Sequence, residues 1–221
     1  MSKVALNTAA LFIFAITCMI LVGPLVHLPS QVPVLCVLAA LTITTLDTLS
    51  FQGKGANLFL DWFAQQSSAY RDRVVHHEAG HFLVAHLLDI PITGYTLSAT
   101  EALKAGYSGM GGVQLKGVDL NSLKADRLGD YCTVCVAGRV AEQLCFQSVQ
   151  GGADDLGWLR SQLRALGLKV QPYEQQATLK ARGLIQEQWE AYLALVEQMK
   201  QHTPIQDCAQ VIEAHRVASQ G

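Results

Sequence analysis

The chain has 221 residues, room for one ordinary domain or two small ones. Its 16 Lys and Arg against 18 Asp and Glu leave a net charge of −2, which argues against the strongly basic surface of a nucleic-acid binder. No G-x-x-x-x-G-K-[ST] loop occurs, and Gly53-Lys54-Gly55 is only a superficial echo of one, so an ATPase module is not expected either.

Charge is spread unevenly. Only Lys3 and Asp47 are charged in the first fifty positions. Val4 to Val26 carries no charge and is dense in large apolar side chains. A helix needs about 20 such residues to cross a bilayer core, so the segment predicts a membrane span. A cleaved signal peptide is the alternative, but the run is long for one and no small-x-small cleavage site follows it cleanly. His27-Leu-Pro-Ser-Gln31 reads as a turn, and Val32 to Leu46 is a second uncharged stretch, rich in Thr. Residues 1–50 therefore predict a membrane anchor built as a transmembrane hairpin of two helices. A single span followed by an interfacial or re-entrant helix is the other reading. Lys3 precedes the runs, Lys54, Arg71 and Arg73 follow them, and none lies between. That pattern places both ends, and the domain that follows, on the cytoplasmic side or its equivalent. Residues 51–69 read as a juxtamembrane amphipathic linker, in which Asn57 to Phe63 could lie at the membrane surface or pack on the domain.

Ser67-Ser68 can cap a helix from about Tyr70 to Leu88 that stops before Asp89-Ile-Pro91. Within it stands His77-Glu78-Ala79-Gly80-His81. Residues four apart on a helix share a face, so both imidazoles can reach one ion. Glu78 stands beside them, placed to act as a base on water rather than to ligate. Neutral imidazole suits Zn²⁺. Gly80 is costly in mid-helix, which predicts a close packing partner there. His76 and His86 point off the ligand face. A catalytic zinc needs a third protein ligand, and position 87 is Leu, so the ligand must come from later in the chain. Gln150-Gly-Gly-Ala-Asp-Asp-Leu156 is the best source: two glycines break one helix and Asp154-Asp155 open the next. Both aspartates could equally be plain helix caps.

Further signals are weaker. Six cysteines do not suggest a disulfide framework. Cys132-Thr-Val-Cys135 has metal or redox spacing, but no second pair completes a zinc site, and small buried helix positions are the better reading. A reducing compartment fits. Ile92 to Leu97 and Gly112 to Lys116 have strand character, with a glycine-rich loop, Gly106 to Gly112, between them. Helices are expected from Asn121 or Ser122 to Phe146, from Asp154 to Leu166, from Pro172 to about His202, and from Thr203-Pro204 to about Val217. The long Pro172–His202 helix carries an apolar stripe suited to the core or a subunit contact. The fold class is mainly α with a minor β element.

Three blocks in order, Val74-Val-His-His-Glu-Ala-Gly-His81, Ala137-Gly-Arg-Val-Ala-Glu-Gln-Leu144 and Gly152-Ala-Asp-Asp-Leu156, resemble the peptidase domain of FtsH-type membrane zinc metalloproteases. The resemblance implies a zinc metallopeptidase domain over residues 70–221. It implies metal ligands His77, His81 and Asp155, with Glu78 catalytic and Glu142 a candidate partner behind the ligands. It implies protein or peptide substrates, and a homo-oligomer or association with an FtsH-type ATPase. The family's ATPase module is absent, Asp154 stands where Asn is usual, and Gly151 replaces a Thr. A proteolytically inactive membrane scaffold or regulatory partner of such proteases is the alternative implication.

Overall fold

The computed structural model describes residues 3–29, 31–51, 61, 63–107, 111–117 and 125–217, with side chains over the same residues except 3–9, 46, 48–51, 125 and 126. Most of the expected surface segment Asn57–Phe63, part of the Gly106–Gly112 loop and the expected helix start at Asn121 or Ser122 lie outside the described residues. The chain forms two compact units, residues 1–66 and 67–221.

In the first unit, helix α1 (Lys3–Val22) leads through a 3-10 turn, Gly23–Val26, into helix α2 (Gln31–Phe51). Pro24 sits at the start of that turn and His27 closes it at φ 58°, with its backbone N–H donating to the carbonyl of Pro24 at 3.4 Å. The hydroxyls of Thr17 and Thr42 donate back to the carbonyls of Ile13 and Leu38, both at 2.8 Å. Among the described residues no helix is long and apolar enough to cross a membrane, so the expected transmembrane hairpin is not supported by them.

The second unit is mainly α with a small sheet, as the residue pattern indicates. Ser67 caps helix α3 (Ser68–Leu87), its hydroxyl accepting from the N–H of Tyr70. Strand β1 (Ile92–Thr96) pairs antiparallel with β2 (Gly112–Leu115), with Tyr95 opposite Val113 and Thr96 opposite Gly112. Between them lies a short helix, α4 (Ala99–Lys104), which was not among the expected elements. Helices α5 (Ala125–Phe146) and α6 (Ala153–Ala165) follow. Gly167, at φ +70°, ends α6 in the left-handed conformation common after a helix.

The single long helix expected from Pro172 is instead two, α7 (Val170–Glu187) and α8 (Trp189–Lys200), broken at Gln188, where ψ is +35°. Pro172 fits inside the first turn of α7, where a missing N–H costs nothing. The last helix is α9 (Ile205–His215), with Pro204 as its N-cap.

Helix α3 runs through the centre of this unit. Its Ala79, Phe82, Leu83, Val84 and Ala85 are fully buried, packed chiefly against α5 and α8. Gly80 is where α3 and α5 come nearest: a Cβ there would stand 2.7 Å from the Ala141 methyl and 2.8 Å from the Ala137 carbonyl oxygen. The backbone carbonyl cannot yield, so glycine is required at the crossing.

Gly80→Ala is expected to destabilise the fold by about 1–3 kcal/mol through overpacking. Gly157, in α6 with open space around it, provides the contrast: Gly157→Ala should stabilise by up to about 1 kcal/mol from helix propensity alone. Urea unfolding of the two variants checks the pair of signs.

Candidate metal centre

His77 and His81 are four residues apart on α3, and their rings meet with Nε2 atoms 3.1 Å apart. Asp155 reaches the same point from the first turn of α6. Its Oδ2 lies 3.4 Å from His77 Nε2 and 3.6 Å from His81 Nε2. These three residues form a group able to hold a metal ion. Ligands about 2.0–2.1 Å from a tetrahedral zinc stand roughly 3.3–3.4 Å apart, close to the spacings found here.

The outer ring nitrogens fix the orientation. His81 Nδ1 is 2.6 Å from the carbonyl oxygen of Val134, which can only accept, so Nδ1 carries the proton. His77 Nδ1 donates to Glu142 Oε1 at 2.7 Å. Both Nε2 lone pairs therefore face inward, beside a carboxylate oxygen. Three acceptors converge with no donor among them unless one takes up a proton or a cation sits between them.

The charge balance agrees. Burial disfavours a charged imidazole at His77, yet the bonds to Asp155 and Glu142 and the field of Glu78 outweigh it and push its pKa up to about 10. Burial likewise opposes ionisation of Asp155, but its contacts with His77 and His81 hold it well below the usual carboxylate range. The cluster favours positive charge at its centre, which a proton supplies in the metal-free protein and a metal ion would replace.

Glu142 is 1% exposed and collects four donors. Besides His77 these are Arg73 Nη1 at 2.9 Å, the Gln150 N–H at 2.8 Å and the Gly151 N–H at 3.0 Å. Burial works against its charge, and the bonds from His77, Gln150 and Arg73 bring its pKa down to about 2. The carboxylate thus ties His77 to the loop that carries the chain into α6. Arg139 holds that loop too, donating to the Gly151 carbonyl at 3.2 Å.

Glu78 is turned off the ligand face. Its Oε2 accepts the Val113 N–H at 3.0 Å, and Gly112, at φ +119°, lets the start of β2 pass close to the carboxylate. His76 hydrogen-bonds Tyr192 at 2.9 Å, and His86 pairs with Glu213 at 2.7 Å, so neither is a ligand. The N-cap of α6 is Gly152, at φ +70°, not an aspartate. Asp154 is exposed.

Two glycines at the site escaped functional notice in the sequence. A Cβ at Gly138, on α5, would strike the Nε2 atoms of both His77 and His81. One at Gly151 would come 2.6 Å from Glu142 Oε1. At the Cys132–Cys135 pair, burial pushes the Cys132 thiol up to about 11, and burial with the nearby Asp155 charge pushes Cys135 up further. Raised thiol pKa values of this kind belong to small buried helix positions. Neither a protein-family model nor a curated protein matches the chain.

Asp155→Ala should abolish metal retention, and Asp154→Asn should leave it intact. Gly138→Ala should also empty the site, because its methyl occupies the space beside both donor nitrogens. Metal content after equilibrium dialysis distinguishes the three. Loss of metal in Asp154→Asn with retention in Asp155→Ala would show that Asp154, not Asp155, is the ligand.

Proposed function

We propose that the chain is a membrane-anchored zinc metalloendopeptidase of the FtsH type, with His77, His81 and Asp155 as ligands and Glu78 as the general base. The observation that carries the reading is the convergence of two Nε2 lone pairs and one carboxylate oxygen beside a glutamate that does not ligate. A zinc ion held there would lower the pKa of a water toward about 7 and polarise a carbonyl.

The protein's own groups divide the remaining work. Val134 and Glu142 hold the two imidazoles in the tautomer that points Nε2 inward. Val113 fixes the rotation of the Glu78 carboxylate, which takes a proton from the attacking water and returns it to the leaving amine. Strand β2 passes Glu78 at Gly112 and Val113, so an extended peptide laid beside it would run past the base.

Membrane attachment is part of the proposal. In α1, Leu11, Phe12, Ile13 and Phe14 are all 45–69% exposed, and in α2 so are Val34, Leu35, Leu38, Leu41 and Ile43, at 53–66%. Four consecutive exposed apolar residues cover most of a helix circumference, and such a helix needs an apolar medium on all sides. The Thr17 and Thr42 hydroxyls are satisfied inside their own helices, as polar groups in lipid must be. The flanking basic residues favour a cytoplasmic or equivalent side for the peptidase unit.

Detergent-solubilised protein should bind about one zinc per chain. Glu78→Gln should keep the zinc and lose about 10²–10⁴-fold in the rate of peptide cleavage. Zinc loading with no cleavage by the wild type would instead select the scaffold reading. With no phosphate-binding loop in the chain, cleavage of an unstructured peptide should not change on adding ATP. A stably folded substrate should survive unless a separate motor is supplied, and ATP-driven digestion of one by the pure chain would defeat this part. Alkaline carbonate should leave the full chain in the membrane pellet, and release to the supernatant would refute the anchor.

A further inference from the structure

Arg73 lies on α3 one turn before His77, and its guanidinium stacks over the Phe146 ring, 4.4 Å from the ring centre. Nη1 donates to Glu142 Oε2 at 2.9 Å and to the Ser148 carbonyl at 2.8 Å, and Nη2 reaches the Ser148 hydroxyl at 3.3 Å. One side chain thus grips both the end of α5 and the loop after it. From the reading of the site as a divalent-metal centre, on which this rests, we infer that Arg73 is the positioning residue for two of its three ligands.

The first route runs through Glu142. Its carboxylate is buried, and the half-buried Asp155 and Glu78 bring further negative charge to the same site. A buried charge without a partner is strongly unfavourable, and Arg73 supplies that partner. With Arg73 in place, Glu142 Oε1 is free to hold His77 Nδ1 and the Gly151 N–H. The second route runs through Ser148. Holding its carbonyl and hydroxyl sets the path of residues 148–152, and Asp155 leaves that loop on the first turn of α6. His77 and Asp155 are therefore registered against each other by a group that touches neither.

Lysine cannot reproduce the arrangement. A guanidinium fork with a flat face can stack on Phe146 while bonding two acceptors, whereas an ammonium is a point charge. The two routes should accordingly separate by substitution. Arg73→Gln removes the charge and the fork, and Arg73→Lys keeps only the charge.

The experiment is zinc affinity of the full, detergent-solubilised chain, measured by competition with a chromophoric chelator. Thermal unfolding of the metal-free forms is followed in parallel. Arg160→Gln, which breaks the exposed Arg160–Glu174 pair, is the control. Arg73→Gln is expected to weaken zinc binding by about 10–100-fold, the usual cost of losing a partner behind a ligand, with Arg73→Lys between it and the wild type. The control should bind like the wild type. Wild-type affinity in Arg73→Gln, or an equal loss in the control, would overturn the assignment. If Arg73→Gln does not fold, Arg73→Lys decides alone. Weaker zinc binding at an unchanged metal-free melting temperature supports positioning, and unchanged affinity with a lowered melting temperature shows a structural ion pair only. Absence of zinc binding by the wild type would overturn the metal-centre reading itself, a separate failure.

Discussion

Gly80 meets the carbonyl of Ala137 and the methyl of Ala141 at a distance no other residue would allow, and that contact decides how near α3 and α5 lie. The site depends on the same distance. The two imidazoles stand on α3, and both of their outer hydrogen-bond partners, Val134 and Glu142, stand on α5. Gly138 lies between those partners and leaves room for the paired Nε2 atoms. If the helices moved apart by the width of a methyl group, His81 would lose its carbonyl and His77 its carboxylate. Packing and ligand orientation are therefore one constraint.

The second theme is where negative charge is stored. Glu142 accepts bonds from an imidazole, a guanidinium and two backbone amides, so its burial is compensated almost entirely by hydrogen bonds. A buried ion pair of this kind adds little net stability over an apolar packing of the same volume. Its value here is geometric, because it joins α3, α5 and the loop into α6 at one point. Asp155 is different. Its side chain is 42% exposed, and its place is fixed by the loop behind it and the imidazoles before it.

Much of this was legible in the residues. The Ser67 cap, the spacing of His77 and His81, the need for a close partner at Gly80 and the two strands all follow from local rules. The helix break at Gln188 does not. No glycine or proline marks it, and Leu184, Ile185, Trp189, Tyr192 and Val196 keep an unbroken helical spacing across it. Beyond the break, α8 is tied to α3 by the Tyr192 hydroxyl, which donates to the His76 carbonyl. Helix α4 does carry a local signal. Ser98 and Glu101 form a capping pair, with the Ser98 hydroxyl accepting the Glu101 N–H and the Glu101 carboxylate accepting the Leu97 N–H. Arg73 had no signal, since nothing local in the sequence shows that a helix arginine will meet a carboxylate 69 positions away.

Gln188 has a consequence for the far end of the chain. Its buried side-chain amide donates to the Val217 carbonyl at 3.1 Å and accepts the Val217 N–H at 2.8 Å, as one strand residue would pair with another. The segment after α9 is thereby clasped to the junction of α7 and α8. A truncation that removed Val217 would strand both amide atoms in a site that is 3% exposed, at about 1–3 kcal/mol for each group left unpaired. An affinity tag or fusion partner joined directly at residue 217 would pull on the same clasp. Val217 is a fastening, and anything attached after it should leave a spacer.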